Sequence, residues 1–232
     1  MASSGKIVNM YDKIPKSFLM KTENPNYDLH NISLPVYCSI CAFSGGGKTN
    51  FIANLLLKFG AKKGTFANVW IITRNKAESI YEWLESKTDR IIIKEGVANI
   101  PELDKMDKTV NNCVIFDDLV LNKNQAAMEQ YFIRARKFNC SVFYLSQSWF
   151  KIPKTIRSNS NLIILLKLSG NREINMILGE FGLGVTREQL LAMYQDATSE
   201  KMQPLIVDML KEPKYRFRKG FLEYLDPDDY LK

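Results

Sequence analysis

The chain of 232 residues carries 32 Lys and Arg against 25 Asp and Glu, a formal net charge of +7, and is 46% hydrophobic and 25% charged. That length holds one large domain, or one with an appendage, and excludes a tandem of enzymatic domains; the basic excess permits a polyanionic partner without demonstrating one. Apolar runs such as Leu162 to Leu166 fall far short of the roughly 18 residues of a bilayer span, and the first 30 residues, broken by Lys6, Asp12, Pro15, Glu23 and Pro25, lack the apolar stretch of an export signal.

Residues 1–30 read as a polar, proline-broken arm. Val36 to Ala42 predicts the first strand, Ser44 to Gly47 breaks it, and a helix follows from Lys48 to Phe59, ended by Gly60. Val69 to Thr73 is a second strand. Lys76 to Lys87 places Ile80, Tyr81 and Leu84 at helical spacing, with Tyr81 and Trp83 read as packing groups, and Arg90 to Ile93 is a short strand. After a turn at Pro101 come a strand at Cys113 to Phe116, a helix from Gln125 to Lys137, and strands at Cys140 to Leu145 and Leu162 to Leu168. Strands alternating with helices of about a dozen residues predict a mostly parallel sheet covered on both faces, a three-layer α/β core over 31–170. Residues 171–232 change pattern: helices at Arg172 to Leu178 and Arg187 to Tyr194, then strands at Leu205 to Leu210 and Tyr215 to Phe221, expected to extend the sheet antiparallel. On the last strand Arg216 and Arg218 share one face and Tyr215 and Phe217 the other, which predicts an edge strand with a charged outer face.

The four cysteines, Cys38, Cys41, Cys113 and Cys140, sit in or beside apolar runs, which points to a reducing compartment. Cys38 and Cys41 have metal-type spacing, but three apart on a strand they face opposite sides. The single histidine, His30, excludes a multi-His metal site. Gly179, Gly182 and Gly184 follow a helix rather than a strand and read as a loop, not a dinucleotide motif.

The strongest motif is the run from Ala42 to Thr49, A-F-S-G-G-G-K-T, between a buried strand and a helix start. Ser44, Gly45, Gly46 and Gly47 let successive N–H groups curl around phosphate oxygens, Lys48 reaches the β- and γ-phosphates of a nucleotide such as ATP, the Thr49 hydroxyl ligates Mg²⁺, and Asn50 continues the helix start beside them. Ala42 stands where the P-loop pattern has its first glycine. Downstream, the apolar run Cys113 to Phe116 ends in Asp117 and Asp118, a Walker B arrangement: Asp117 would face Mg²⁺ and Asp118 would act as general base toward water. Gln147, directly after the strand ending at Leu145, can sense the γ-phosphate or the lytic water. Together these describe an additional-strand P-loop ATPase, in which a strand with a polar sensor lies between Walker A and Walker B.

The succession S-G-G-G-K-T, V-I-F-D-D, R-A-R-K-F-N-C-S-V-F-Y-L-S-Q-S and I-P-K-T-I-R-S-N-S-N resembles the FtsK–HerA superfamily of DNA-pumping ATPases, and more narrowly the small genome-packaging ATPases of poxviruses, other large DNA viruses and virophages. The resemblance covers about residues 30–170. It implies a RecA-like fold, ATP and Mg²⁺ as cofactors, Lys48, Thr49, Asp117, Asp118 and Gln147 in the roles above, and a homo-oligomeric ring, pentamer or hexamer, that drives double-stranded DNA without reading its sequence. Many relatives carry Asp-Glu at the Walker B end, where this chain has the shorter Asp118. It further implies a capsid or portal vertex partner, a host cytoplasmic location in a viral factory with the virion as a second site, and no membrane partner.

In such rings an arginine from one subunit completes the neighbour's site, for which Arg136, Arg157 and Arg134 are candidates, Arg136 pointing farthest from the apolar stripe Ala127, Tyr131, Ala135 and Phe138. Basic residues that could grip DNA cluster at Lys58, Lys62 and Lys63, at Lys151 and Lys154, and from Lys211 through Lys219. Two other readings fit a P-loop: a nucleoside or nucleotide kinase, and a nucleotide-gated scaffold that binds without turnover.

Overall fold

The computed structural model describes residues 7–230, so the first six residues of the expected arm lie outside the described residues. The strands are β1 (Tyr37–Cys41), β2 (Asn68–Thr73), β3 (Ile91–Glu95), β4 (Asn112–Asp117), β5 (Cys140–Ser146), β6 (Leu162–Leu165), β7 (Leu205–Asp208), β8 (Phe217–Lys219) and β9 (Glu223–Leu225). The helices are α1 (Tyr27–His30), α2 (Lys48–Gly60), α3 (Ser79–Glu85), α4 (Ala126–Arg134), α5 (Lys154–Asn159), α6 (Arg172–Glu180) and α7 (Arg187–Ala197). All nine strands form one sheet in the order β3-β2-β4-β5-β1-β6-β7-β8-β9. The six from β3 to β6 run parallel and the last three join antiparallel.

The pleat sorts side chains into two cores. Cys38, Ile40, Cys113, Ile115, Phe143 and Leu145 point to the face covered by α2 and α3, meeting Phe51, Ile52, Leu55, Phe59, Tyr81 and Leu84. Tyr37, Cys41, Val114, Phe116 and Tyr144 point the other way, onto Met128, Tyr131 and Phe132 of α4, Ile156 of α5, Ile174 and Ile177 of α6, and Leu190 and Met193 of α7. This is the three-layer, RecA-like α/β arrangement expected, with the antiparallel extension in place. Cys38 and Cys41 do fall in opposite cores, and all four cysteines are free and buried. Among the described residues no helix is long and apolar enough to cross a membrane.

Several details depart from expectation. The helix expected from Lys76 begins only at Ser79, because Asn75 takes the Ala77 N–H in a side-chain turn and Glu95 takes that of Lys76. The one expected from Gln125 to Lys137 is α-helical to Arg134 and then tightens into a 3₁₀ turn over Ala135–Phe138, closed by Asn139 at φ 50°. Its buried stripe is Met128, Tyr131, Phe132 and Ala135; Ala127 and Phe138 are only half-buried. Helix α5, launched after Pro153, and strand β9 have too few residues to show a period.

The expected charged outer edge is a larger correction. Tyr215 lies in a 3₁₀ turn, the strand is only Phe217–Lys219, and β9 rather than β8 is the sheet edge. Arg218 is fully buried, donates to the Asn31 carbonyl at the end of α1, and lies 3.7 Å from the buried Asp208 carboxylate. Arg216 is turned onto the Gly182 and Leu183 carbonyls. The side of the strand predicted to meet water is roofed at Arg218 by the segment leading into β1, and Arg216, half-buried, is held by the loop after α6.

Candidate nucleotide-binding site

Parallel strands bring their carboxyl ends to one rim, where open α/β sheets bind ligands. Register sets three of them level: Cys41 in β1 pairs with Ser146 in β5, and Leu145 in β5 pairs with Asp117 in β4. The loop after β1 therefore stands beside Gln147, and Gln147 beside Asp117 and Asp118. Strand β5 lies between the two motif strands, the additional-strand order expected.

Between Ala42 and Lys48 the backbone makes a tight bend, with Gly47 at φ 90° forming the N-cap of α2. A Cβ on Gly46 would stand 2.9 Å from both the Ala42 Cβ and the Phe43 carbonyl. The fully buried Ala42 methyl, the departure from the motif's first glycine, is accommodated because Gly46 leaves that space open. Within the loop the Gly46 N–H closes onto the Phe43 carbonyl at 2.9 Å. Lys48, the first residue of α2, folds back so that its Nζ donates to the carbonyls of Ala42, at 3.0 Å, and Phe43, at 3.3 Å. Burial lowers the lysine's pKa, opposed by Asp117, Cys41 and Asp118.

Asp117 is 5% exposed, and its Oδ2 accepts the Tyr81 hydroxyl. Burial pushes its pKa up to about 6 against the Tyr81 hydrogen bond; Glu78 and Asp118 add to the rise and Lys48 opposes it. The Thr49 side chain lies on the same side, close enough to the Tyr81 hydroxyl to oppose the rise in its pKa, so the P-loop threonine and the first aspartate both face Tyr81. Tyr81 was expected only to pack. Its ring does pack, but a tyrosine differs from phenylalanine by the group that reaches the carboxylate, and that was the one available signal. Asp118, at φ 53°, accepts from Gln147 Nε2 at 3.2 Å.

The expected residues thus converge: Ser44 and the three glycines form the bend, and Lys48, Thr49, Asp117, Asp118 and Gln147 stand around it. Asn50 turns aside to Met202, its Nδ2 3.2 Å from the Met202 Sδ. The donor set suits Mg²⁺. It is all oxygen, a hydroxyl from Thr49 and a carboxylate from Asp117, and burial is what raises the pKa of that carboxylate. Mg²⁺ takes one or two protein oxygens and completes its shell with phosphates and water.

The arginine candidates separate. Arg157 is buried, forks onto the Glu180 carboxylate at 2.7 to 3.0 Å and donates to the Ile152 carbonyl. It is engaged inside its own subunit, which weighs against the expectation that it reaches a neighbour: a buried guanidinium that satisfies a carboxylate and carbonyls would have to give up all of these bonds to leave. Arg134 pairs with Asp104 at 2.9 Å, and Arg136 is exposed. Both lie next to the start of β5, at the rim opposite the P-loop, out of reach of their own site.

The comparisons with known proteins bear on the fold. No family model and no curated protein matches the chain. Among solved structures, it is similar to the genome packaging NTPase B204 from Sulfolobus turreted icosahedral virus 2 in complex with ATP-gammaS, with a TM-score of 0.59 at 14% identity over 82% of this chain and 100% of that one. It is also similar to EssC, ATPases 2 and 3, from Geobacillus thermodenitrificans (TM-score 0.54, 13% identity, 84% of this chain and 40% of that one). A third similar structure is the cytoplasmic domain of the type VII secretion ATPase EccC from Thermomonospora curvata (0.53, 13%, 80% and 25%). The chain has the P-loop ATPase fold of these proteins.

Proposed function

We propose that the protein is an ATP-driven translocase that packages double-stranded DNA into a viral capsid, hydrolysing ATP between the subunits of a homo-oligomeric ring. The observation that carries the reading is the convergence of the P-loop with Asp117, Asp118 and Gln147 at the carboxyl rim of a sheet whose additional strand separates the two motifs, with Asp117 bonded to Tyr81 and Asp118 to Gln147. That strand order also weighs against the nucleotide-kinase reading.

In this reading Ser44, Gly45, Gly46 and Gly47 present backbone N–H groups to phosphates, and Lys48 leaves the Ala42 and Phe43 carbonyls for phosphate oxygens. Mg²⁺, when bound, neutralises charge on the phosphates; Thr49 and Asp117 hold it. Asp118 takes the proton of the attacking water, and Gln147, bonded to Asp118, orients that water. Arg136 supplies its guanidinium to the next subunit, because it is exposed at the rim opposite its own P-loop, and Arg134 is the second candidate. DNA is held through its phosphates. Of the basic groups, Lys62 pairs with Asp28, Lys58 lies over Phe221, Lys211 bonds Tyr27, and Arg216 and Arg218 are spent internally, whereas Lys151 and Lys154 are exposed just beyond the sensor turn. The capsid or portal vertex is the proposed docking partner, and the host cytoplasm and virion the proposed locations.

The test is phosphate release with and without double-stranded DNA. Stimulation by DNA is expected, with loss of turnover in Lys48→Ala and a fall of about 10² to 10⁴ in Asp118→Asn with nucleotide affinity retained. Phosphoryl transfer to a nucleoside would replace the reading with a kinase, and tight binding without turnover in the wild type with a scaffold.

A further inference from the structure

A linear triphosphate laid over the N-terminus of α2 has two ends, and the sheet order assigns one of them. Gln147 and Asp118 follow β5 and β4, on one side of β1. The other side of β1 is β6, and the segments at its carboxyl rim must meet whatever the phosphates are attached to. Two segments stand there. Lys167, just past β6, accepts the Phe43 N–H at 2.9 Å and so fixes that side of the P-loop. The turn Thr198–Gln203, between α7 and β7, leans over from the C-terminal extension.

Together they enclose a cleft of about 240 Å³ lined by Phe43, Gly45, Gly46, Lys167, Thr198 and Met202. Its apolar members are conspicuous: Phe43 is 40% and Met202 41% exposed, large hydrophobic side chains presented to water beside a polar loop. Met202 also adopts φ 67°, a left-handed backbone that an unbranched side chain rarely takes and that persists where surrounding contacts impose it, commonly at ligand clamps. Those contacts are with the P-loop itself. The Met202 Sδ accepts from Asn50, and a Cβ on Gly47 would stand 3.0 Å from the Met202 Cγ.

We infer that the cleft between Phe43 and the turn Thr198–Gln203 takes the nucleoside half of the nucleotide, with Met202 as its apolar contact. The inference rests on the P-loop reading above. A thioether and a phenyl ring bind a flat heterocycle through polarisable, non-directional contact, and the exposed polar tips of Lys167 and Gln203 remain for the ribose and base edge. The C-terminal extension then has a part in the reaction: it carries the base-side wall of a site whose phosphate side belongs to the core.

Two measurements test this. Wild-type protein is irradiated with 8-azido-ATP and Mg²⁺ and the adducts are mapped by peptide mass spectrometry; label on Phe43 or within Thr198–Gln203 is expected, and label confined elsewhere overturns the inference. Calorimetry then compares a non-hydrolysable ATP analogue with inorganic tripolyphosphate on wild type, Met202→Ala and Met202→Gly. Both variants should weaken the analogue about tenfold, the loss of one buried side-chain contact, and leave tripolyphosphate within twofold. Unchanged affinity for the analogue overturns the subsite and leaves the P-loop reading standing. Equal loss of both ligands places Met202 on the phosphate cradle and also overturns it. Failure of the wild type to bind either ligand removes the P-loop reading and the inference together.

Discussion

Asp117 shows how one side chain is set by opposing forces. Withdrawing its carboxylate from water raises the pKa, and the Tyr81 hydroxyl returns part of the lost solvation. Tyr81→Phe deletes that donor without changing the ring, so the carboxyl must rise above about 6 and be less ionised at mildly acidic pH. Its Mg²⁺-nucleotide affinity, titrated calorimetrically, should therefore fall several-fold more at pH 6 than at pH 8. No fall at either pH would mean that Tyr81 acts only by packing, and an equal fall at both would mean that its hydroxyl does not act through the ionisation of Asp117. The neighbouring residue pair is equally specific: Ala42 carries a methyl where Gly46 has none, so Gly46→Ala brings two carbons to 2.9 Å and should abolish nucleotide binding while the sheet still forms.

At the scale of elements, the turn after β5 is held by α6. The Trp149 N–H donates to Glu173 at 2.8 Å and its indole to Glu180 at 3.0 Å, while Arg157 of α5 forks onto the same Glu180. Sensor strand, α5 and α6 thus share one partly buried polar knot, two residues beyond Gln147. Glu180→Ala strands the buried Arg157 guanidinium and should lose about 3 kcal/mol, whereas Arg157→Ala leaves a carboxylate that reaches water and should lose less. The check is the urea midpoint, shifted with little change in slope. The paired apolar replacement, Arg157→Met with Glu180→Leu, should recover much of the loss. In mixed oligomers Arg157→Ala should only dilute activity, whereas Arg136→Ala should poison it.

For the molecule as a whole, two buried groups titrate against each other. His30, buried and facing Arg218, Asp28 and Lys58, has its pKa lowered from 6.5 to about 4, first by burial and then by Arg218. The unfolded chain binds that proton first, so His30 withdraws stability as pH falls from 6.5 toward 4. Asp117 is raised from 3.8 to about 6, so the folded chain holds its proton longer and stability increases as pH falls through that window. At about 1.36 kcal/mol per pH unit between the two values, each effect is worth about 3 kcal/mol. Without Mg²⁺ or nucleotide these two contributions should therefore offset each other between pH 4 and 6. Asp117→Asn removes one arm: its Tm should exceed the wild type's at pH 7 by several degrees and then drop steeply on acidification. A wild type that loses stability as steeply as the variant would refute the cancellation.

The nucleotide site was largely legible before folding because its parts are local. A glycine bend followed by Lys48 and Thr49, and apolar strands ending in Asp117 or just before Gln147, are chemical necessities written within a few residues of each other. Strand and helix positions followed from burial period for the same reason. What stayed hidden was every role set by a distant neighbour. Arg157 looks like any surface arginine until Glu180 is beside it, Tyr81 like core until Asp117 is, and Met202 like a turn residue until it lies on Gly47.

Sequence by itself determined the parallel core, the phosphate cradle and the twin aspartates, since hydrophobic period and backbone freedom act over a few residues. Tertiary structure alone decided which charged side chains are displayed. Arg218 meets the Asn31 carbonyl across 187 residues of chain, and a guanidinium is outward or inward according to what roofs it, a property no local period contains.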